Sequence, residues 1–216
     1  MKVSIVIPAF NAFATVAETV KSALAQTYRD FEVIVVDDGS QDDSASRAIE
    51  ASRSGDSFRI HILDKNQGVA WARNFGAMHS LGSAFLFLDA DDKLDSRYLE
   101  KTVPLLTEGV GVVGTGMQYF DQSNVYISPI IPTHRANGIP TASLVRAKAF
   151  FDVKGYDGTM MYEDWDLWLR ILKVGWRIAL LDEPLFLYRL GINARCVEAN
   201  AMRDECNAQI WRRHGA

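Results

Sequence analysis

A chain of 216 residues with 48% hydrophobic and 23% charged side chains has the balance of an ordinary globular domain and can bury one large core. Its net charge of −4 at pH 7 argues against nucleic acid as a partner, because such proteins usually carry a basic patch. No apolar run approaches the roughly 20 residues of a membrane helix, and Cys196 and Cys206 are too few for a disulfide framework. The expectation is a cytoplasmic protein with free thiols, with peripheral contact at the inner face of a membrane left open.

The first eight residues carry one Lys and a short apolar run broken by Pro8. That run is too short for a secretory h-region and reads as a strand over residues 3–7. Residues 14–25 place Val16, Val20, Ala23 and Leu24 on one helical face. A second apolar strand over 31–36 ends at Asp37-Asp38-Gly39-Ser40, and a helix runs from Asp42 or Asp43 to about 52. Residues 59–63 form a third strand. Asn66-Gln67-Gly68 is turn chemistry, followed by a helix over 70–79. Residues 84–88 form a fourth strand, which runs into Asp89-Ala90-Asp91-Asp92, with a helix from 95 or 96 onward. The alternation is β-α-β-α-β-α-β, so the fold class is α/β, with a mostly parallel central sheet and helices on both faces.

The second half is less regular. Residues 109–117 read as a strand, 126–140 as a proline-rich loop or short hairpin, 142–145 as a strand and 148–153 as a short helix. A helix over 162–173 carries Leu167, Trp168, Ile171 and Leu172 as its apolar stripe. Strands over 177–181 and 185–188 and a terminal helix over 200–213 complete the chain.

Three strand ends carry polar clusters: Pro8-Ala9-Phe10-Asn11, Asp37-Asp38-Gly39-Ser40 and Asp89-Ala90-Asp91-Asp92. In a parallel sheet the C-terminal strand ends share one edge, so these clusters would line a single crevice. Taken singly, the second also fits a strand–turn–helix junction with an N-cap, and the third a plain acidic turn. Crowded carboxylates repel and raise each other's pKa. A hard divalent cation such as Mg²⁺ or Mn²⁺ relieves that and keeps positions for water and phosphate.

Further pieces are Gln26-Thr27-Tyr28, Asn66-Gln67-Gly68-Val69-Ala70-Trp71-Ala72-Arg73-Asn74 and Glu163-Asp164-Trp165-Asp166-Leu167-Trp168-Leu169-Arg170. In this order and at these intervals, with the strand ends, the chain resembles a family 2 glycosyltransferase with the A-type, Rossmann-like nucleotide-sugar-binding fold. The likeness runs from Val3 to about Arg189. It implies one domain over 1–216, with a nucleotide-binding half over about 1–92 and an acceptor-binding half over about 93–216.

The resemblance also implies roles. Pro8, Ala9, Phe10 and Asn11, with Asp37, Asp38, Gly68, Arg73, Asp89 and Ala90, would border the nucleotide. Asp38 would accept a hydrogen bond from a uracil-like ring N–H, since a carboxylate only accepts. Gly68 would let backbone approach the nucleotide, and Arg73 would sit by the base or diphosphate. The other readings of Arg73 are a solvated helix residue or an ion pair with Asp38.

Asp89 and Asp91 match a D-x-D metal element for Mn²⁺ or Mg²⁺ bridging the donor's phosphates. Asp164 would be the general base that deprotonates the acceptor hydroxyl, which implies inversion at the anomeric carbon. Its other reading, with Glu163, is an acid placed on a helix dipole. Asp92, Glu163 and Trp165 would meet donor or acceptor sugar. Asp92 could instead cap the next turn, and Trp165 could be core. The implied partners are a nucleotide-diphosphate sugar, with a uridine donor favoured, and a saccharide, lipid-linked or protein acceptor.

Two departures stand out. Many family members carry a His soon after the Tyr-Arg matching Tyr188-Arg189, whereas Leu190-Gly191-Ile192-Asn193 follow here. Metal contact through Asp91 and water, diphosphate contact by Asn193 or Arg195, and low metal affinity are the alternatives. No Gln-x-x-Arg-Trp element occurs, so one sugar per encounter is the expectation. Competing functions are a sugar-phosphate nucleotidyltransferase, which needs a Gly-rich basic loop that Pro8-Ala9-Phe10-Asn11 does not supply, and a phosphoacceptor receiver, which is usually about half this length. A sugar-binding relative without turnover also remains open.

Overall fold

The computed structural model describes residues 1–52, 57–120, 125–190 and 201–215. Among these residues nine strands form one sheet: β1 (Val3–Ala9), β2 (Phe31–Asp37), β3 (Phe58–Ile62), β4 (Ala84–Phe87), β5 (Lys93–Leu94), β6 (Val110–Tyr119), β7 (Tyr126–Ile127), β8 (Leu144–Arg146) and β9 (Arg177–Tyr188). The helices are α1 (Val16–Leu24), α2 (Ser44–Ser52), α3 (Val69–Met78), α4 (Tyr98–Thr102), α5 (Ala147–Asp152), α6 (Glu163–Lys173) and α7 (Arg203–His214), with a 3-10 turn at Val103–Leu105. The strand order is β3-β2-β1-β4-β8-β6-β9-β5, and β7 pairs with β6.

The parallel ladders β1–β2, β2–β3, β1–β4 and β6–β9 are the long ones. The antiparallel ladders at β8, β7 and β5 run for two or three residue pairs each. The α/β expectation holds, with the antiparallel pairs gathered in the second half.

β1 explains why a nearly continuous apolar run forms the centre. All seven of its residues are buried. Val3, Ile5, Ile7 and Ala9 join Val16, Val20 and Leu99 in a core that includes residues of α1 and α4. Val6 points the other way, with Phe85, Phe87, Phe150, Leu167 and Trp168, into a core that includes α5 and α6. A strand covered on both faces needs no polar alternation. On that second side α3 rests close on β1: a Cβ on Gly76 would stand 2.3 Å from Cγ1 of Val6, so a small residue sets the helix–sheet distance.

Three differences from the sequence reading have physical causes. The expected strands over 177–181 and 185–188 form one strand, β9, which passes through Pro184 where its register against β6 shifts; proline is tolerated at such an irregularity because its missing N–H breaks no regular ladder bond. The helix expected from 95 or 96 begins at Tyr98 and tightens into the 3-10 turn at Pro104. β5 and β7 are two residues each, too short to leave a periodic signature. Trp168, on the apolar stripe expected of its helix, is core, and so is Phe186.

Candidate functional site

The ends of β1, β2 and β4 meet at one edge of the sheet, since these strands are parallel neighbours. After β1, Ala9 is buried and accepts the Asp38 backbone N–H at 2.8 Å. Phe10 stands half-exposed at the rim. Asn11 takes a left-handed conformation, φ 50°, which Asn tolerates better than most residues. Its N–H donates to Ser40 Oγ at 3.0 Å, and its Oδ1 accepts the Gln41 N–H at 2.8 Å. After β2, Asp37 Oδ1 accepts the Ser40 N–H at 2.8 Å and closes the turn.

Asp38 organises the neighbouring loop. Its Oδ1 accepts from Gln67 N–H at 2.9 Å and its Oδ2 from Gly68 N–H at 2.8 Å. Each carboxylate oxygen has a second lone pair, so both keep capacity for a ligand donor. Gly68 has φ 96°, and nothing lies within 4 Å of where its Cβ would stand. The loop thus presents bare backbone to open space.

Arg73 is neither solvated nor paired with Asp38. It projects from α3, is 2% exposed, and donates from Nη2 to Asp89 Oδ1 and from Nη1 to Glu163 Oε1, both at 2.6 Å. Burial disfavours its charge, but Asp89 and Glu163 outweigh that and raise its pKa above the ordinary value. The Tyr156 ring lies 5.1 Å from the guanidinium carbon. One guanidinium thereby ties the acidic end of β4 to the start of α6.

The four residues after Leu88 divide in function. Asp92 is 1% exposed and its Oδ1 accepts the Arg189 N–H at 2.8 Å. Burial, then Asp91 and Asp89, push its pKa well up. Arg189 also donates from Nε to the Asp91 carbonyl at 2.8 Å. These contacts hold the acidic turn against the end of β9. Burial, followed by the charge of Asp89, pushes the Asp91 carboxyl up to about 6, and among the described residues no ion pair reaches it.

The residues present fit a hard divalent cation: they are carboxylate oxygens, and the Asp91 charge is uncompensated by any described cation at contact distance. Among the described residues no group of three or more His, Cys, Asp or Glu side chains is arranged to hold a metal. Magnesium-type sites commonly use one or two carboxylates and complete the shell with water and substrate phosphate. The segment 191–200, with Asn193, Arg195 and Cys196, lies outside the described residues.

α6 begins with Glu163, Asp164 and Asp166 in its first turn and ends with Arg170 and Lys173 in its last, the charge order that complements a helix dipole. Asp164 Oδ2 accepts from Asn137 Nδ2 at 3.2 Å and from Thr141 Oγ1 at 3.0 Å, and its Oδ1 accepts the Trp165 N–H at 2.7 Å. Sequence reasoning missed Asn137, which sits in the proline-rich segment 126–140, and Thr141, which follows it. Trp165 takes its core alternative: it is 5% exposed, packs with Met160, Leu169 and Ile210, and donates from Nε1 to the Thr133 carbonyl at 2.7 Å. Glu163 is buried against Arg73, and Asp92 beneath the turn.

Asp166, fully buried, binds Arg170 Nε at 2.7 Å and His214 Nε2 at 2.8 Å and so anchors α7 on α6. His214 has no partner pattern in the sequence because that contact spans 48 residues.

A mixed sheet with acidic ends on its parallel strands at one edge and a carboxylate-bearing helix beside them is an A-type α/β fold. Solved structures agree. S. aureus TarS in complex with UDP-GlcNAc superposes with TM-score 0.78 at 22% identity, over 92% of this chain and 61% of that one. The mannosyltransferase PcManGT from Pyrobaculum calidifontis, in complex with GDP-Man and Mn²⁺, gives TM-score 0.82 at 18% identity, over 98% of this chain and 63% of that one. The family profile described as "Glycosyl transferase family 2" matches residues 4–162. EpsE of Bacillus subtilis (strain 168) is 33% identical over 202 residues, which is 87% of this chain and 73% of EpsE. An uncharacterized glycosyltransferase of Rickettsia bellii (strain RML369-C) is 30% identical, and this chain spans about a third of its length. The chain belongs to glycosyl transferase family 2. No described helix is long and apolar enough to cross a membrane.

Proposed function

We propose that the chain transfers one sugar per encounter from a nucleotide-diphosphate sugar, with a uridine donor favoured, to a hydroxyl of a saccharide or lipid-linked acceptor, inverting the anomeric carbon. The observation that carries this reading is the Arg73 bridge. Its guanidinium contacts Asp89 and Glu163 at 2.6 Å each, so the acidic strand end lies beside the start of α6, the helix that carries Asp164.

The base and ribose lie along Pro8, Ala9, Phe10, Asn11 and Asp37, with Asp38 accepting from the base and the bare backbone at Gly68 alongside. Asp91 and Asp89 would hold Mn²⁺ or Mg²⁺, which when bound would supply Lewis-acid neutralisation of charge on the leaving diphosphate. Asp164 takes the proton as the acceptor oxygen bonds to the anomeric carbon. The bond from that carbon to the diphosphate oxygen breaks, and its electron pair leaves with the nucleotide. Asp164 and the leaving group stand on opposite sides of the sugar, which gives inversion. Glu163 acts by fixing Arg73, and Asp92 by holding the acidic turn. The work is placed in the cytoplasm, where nucleotide sugars are the donor class.

The test is a thermal-shift panel of UDP-, GDP- and dTDP-sugars with and without Mn²⁺, since a ligand of the folded state raises the melting temperature by mass action. A Mn²⁺-dependent rise with at least one nucleotide sugar is expected. Asp164→Asn should keep that rise and lose transfer. No rise with any donor, or transfer by Asp164→Asn at the wild-type rate, overturns the reading.

A further inference from the structure

The 125–141 segment is braced against its neighbours. β7 pairs it to β6, and the Ile130 N–H donates to the Gly138 carbonyl at 2.8 Å. Thr133 and Ala136 form an isolated bridge. Ile139 is buried, so close to β6 that a Cβ on Gly114 would stand 2.3 Å from its Cγ2. The segment is fastened to α6 by the Trp165 indole on the Thr133 carbonyl. From this braced frame Asn137 and Thr141 reach the same oxygen of Asp164.

A carboxylate oxygen has two lone pairs in its plane. On Oδ2 of Asp164 both are taken, by the Asn137 amide and the Thr141 hydroxyl. On Oδ1 one is taken, by the Trp165 N–H. The one acceptor position left by the described donors is therefore on Oδ1.

We propose that Asn137 and Thr141 are positioning residues for the transfer reaction: by filling Oδ2 they fix the rotation of the Asp164 carboxylate and direct the acceptor's proton to Oδ1. In the step, the acceptor O–H bond breaks and the proton goes to Oδ1. The acceptor oxygen forms the new bond to the anomeric carbon, and the diphosphate departs with the old bonding pair. A carboxylate free to rotate would offer the acceptor either oxygen, and small losses of alignment at a reacting group cost large factors in rate. This inference rests on Asp164 being the base.

The test is steady-state kinetics of Thr141→Val, Thr141→Ser and Asn137→Ala in the full chain. The donor is the nucleotide sugar giving the largest Mn²⁺-dependent shift in the panel above. The probe acceptors are water and methyl glucoside, and the readout is nucleotide diphosphate released. Thr141→Val and Asn137→Ala should each lower kcat about tenfold or more, with the donor KM within about twofold. Thr141→Ser, which keeps the hydroxyl, should return to within about threefold of wild type. Melting temperatures of all variants separate loss of positioning from loss of fold.

If Thr141→Val and Asn137→Ala keep wild-type kcat while Asp164→Asn is inactive, the positioning role is overturned and the base reading stands. A deficit that Thr141→Ser shares in full also overturns it. If Asp164→Asn retains turnover, or the wild type releases no nucleotide, the base reading falls and the positioning role falls with it.

Discussion

Arg73→Met isolates the contact on which the site's geometry depends. Methionine keeps the unbranched stem beside Tyr156 and removes the fork that reaches Asp89 and Glu163. The two acids that lose the guanidinium then differ in exposure. The Glu163 side chain is 8% exposed and cannot rehydrate in place, whereas Asp89, at 26%, partly can. Breaking a buried pair from one side typically costs about 3–5 kcal/mol; with one partner able to reach water, the lower end applies. For a chain of this size each kcal/mol moves the melting temperature by roughly 2–4 °C, so a loss of about 3 kcal/mol lowers it by roughly 6–12 °C. The assay is urea and thermal unfolding at pH 7.5 without metal or nucleotide. Adding Glu163→Gln to Arg73→Met removes one of the two buried-edge charges that Arg73 offset and should recover about 1–2 kcal/mol. A loss below about 1 kcal/mol for Arg73→Met, or a deeper loss in the double variant, refutes the bridge.

Two further outcomes follow from the same edge. The Asp91 carboxyl is raised from its ordinary 3.8 to about 6, so the folded chain holds a proton where the unfolded chain has released it. Its stabilising contribution is fully present below 3.8 and is lost as the pH rises through about 6; the charge left at pH 7.5 costs at most about 3 kcal/mol. Asp91→Asn should therefore melt above wild type at pH 7.5 in metal-free buffer, with the difference vanishing near pH 4; equal melting at both pH values refutes this. Asp38→Asn places an NH₂ group against one of the two backbone donors at Gln67 and Gly68, at a cost of about 1–3 kcal/mol. Urea unfolding measures that loss, and an unchanged midpoint would remove Asp38 from the role of loop organiser.

Legibility in the sequence follows the range of the forces. β1, β2 and β4 are buried on both faces and show as apolar runs, so their ends, and the acidic clusters on them, can be placed by pattern. Arg73 can be named but not partnered, because its contacts lie 16 and 90 residues away. Asn137 and Thr141 lie 27 and 23 residues from Asp164 in a segment without periodicity; the only signal there is two short polar residues among prolines and isoleucines. Trp165 is ambiguous for another reason. A tryptophan after two acids fits a sugar platform and a buried ring equally, and the choice is made by Ile210 of α7 and by the Thr133 carbonyl, both far along the chain.

The carboxylates of this edge sort by what neutralises them. Asp37, Asp38 and Asp164 accept hydrogen bonds from backbone or side-chain donors. Asp89 and Glu163 share Arg73, and Asp92 accepts the Arg189 amide. Asp91 stands apart among the described residues: its own charge is disfavoured by burial and by Asp89, and no ion pair reaches it. A diphosphate approaching this edge meets more negative charge, and like charges at a few ångströms in a partly desolvated site repel by several kcal/mol. On the proposed reading, the donor therefore cannot bind tightly on the strength of Arg73, whose two outer nitrogens are already engaged. The cation and the diphosphate must enter as a pair, each removing the penalty of the other. Donor affinity should then depend on Mn²⁺ far more steeply than in a site lined by free Lys or Arg, with Asp91 the residue through which that dependence runs.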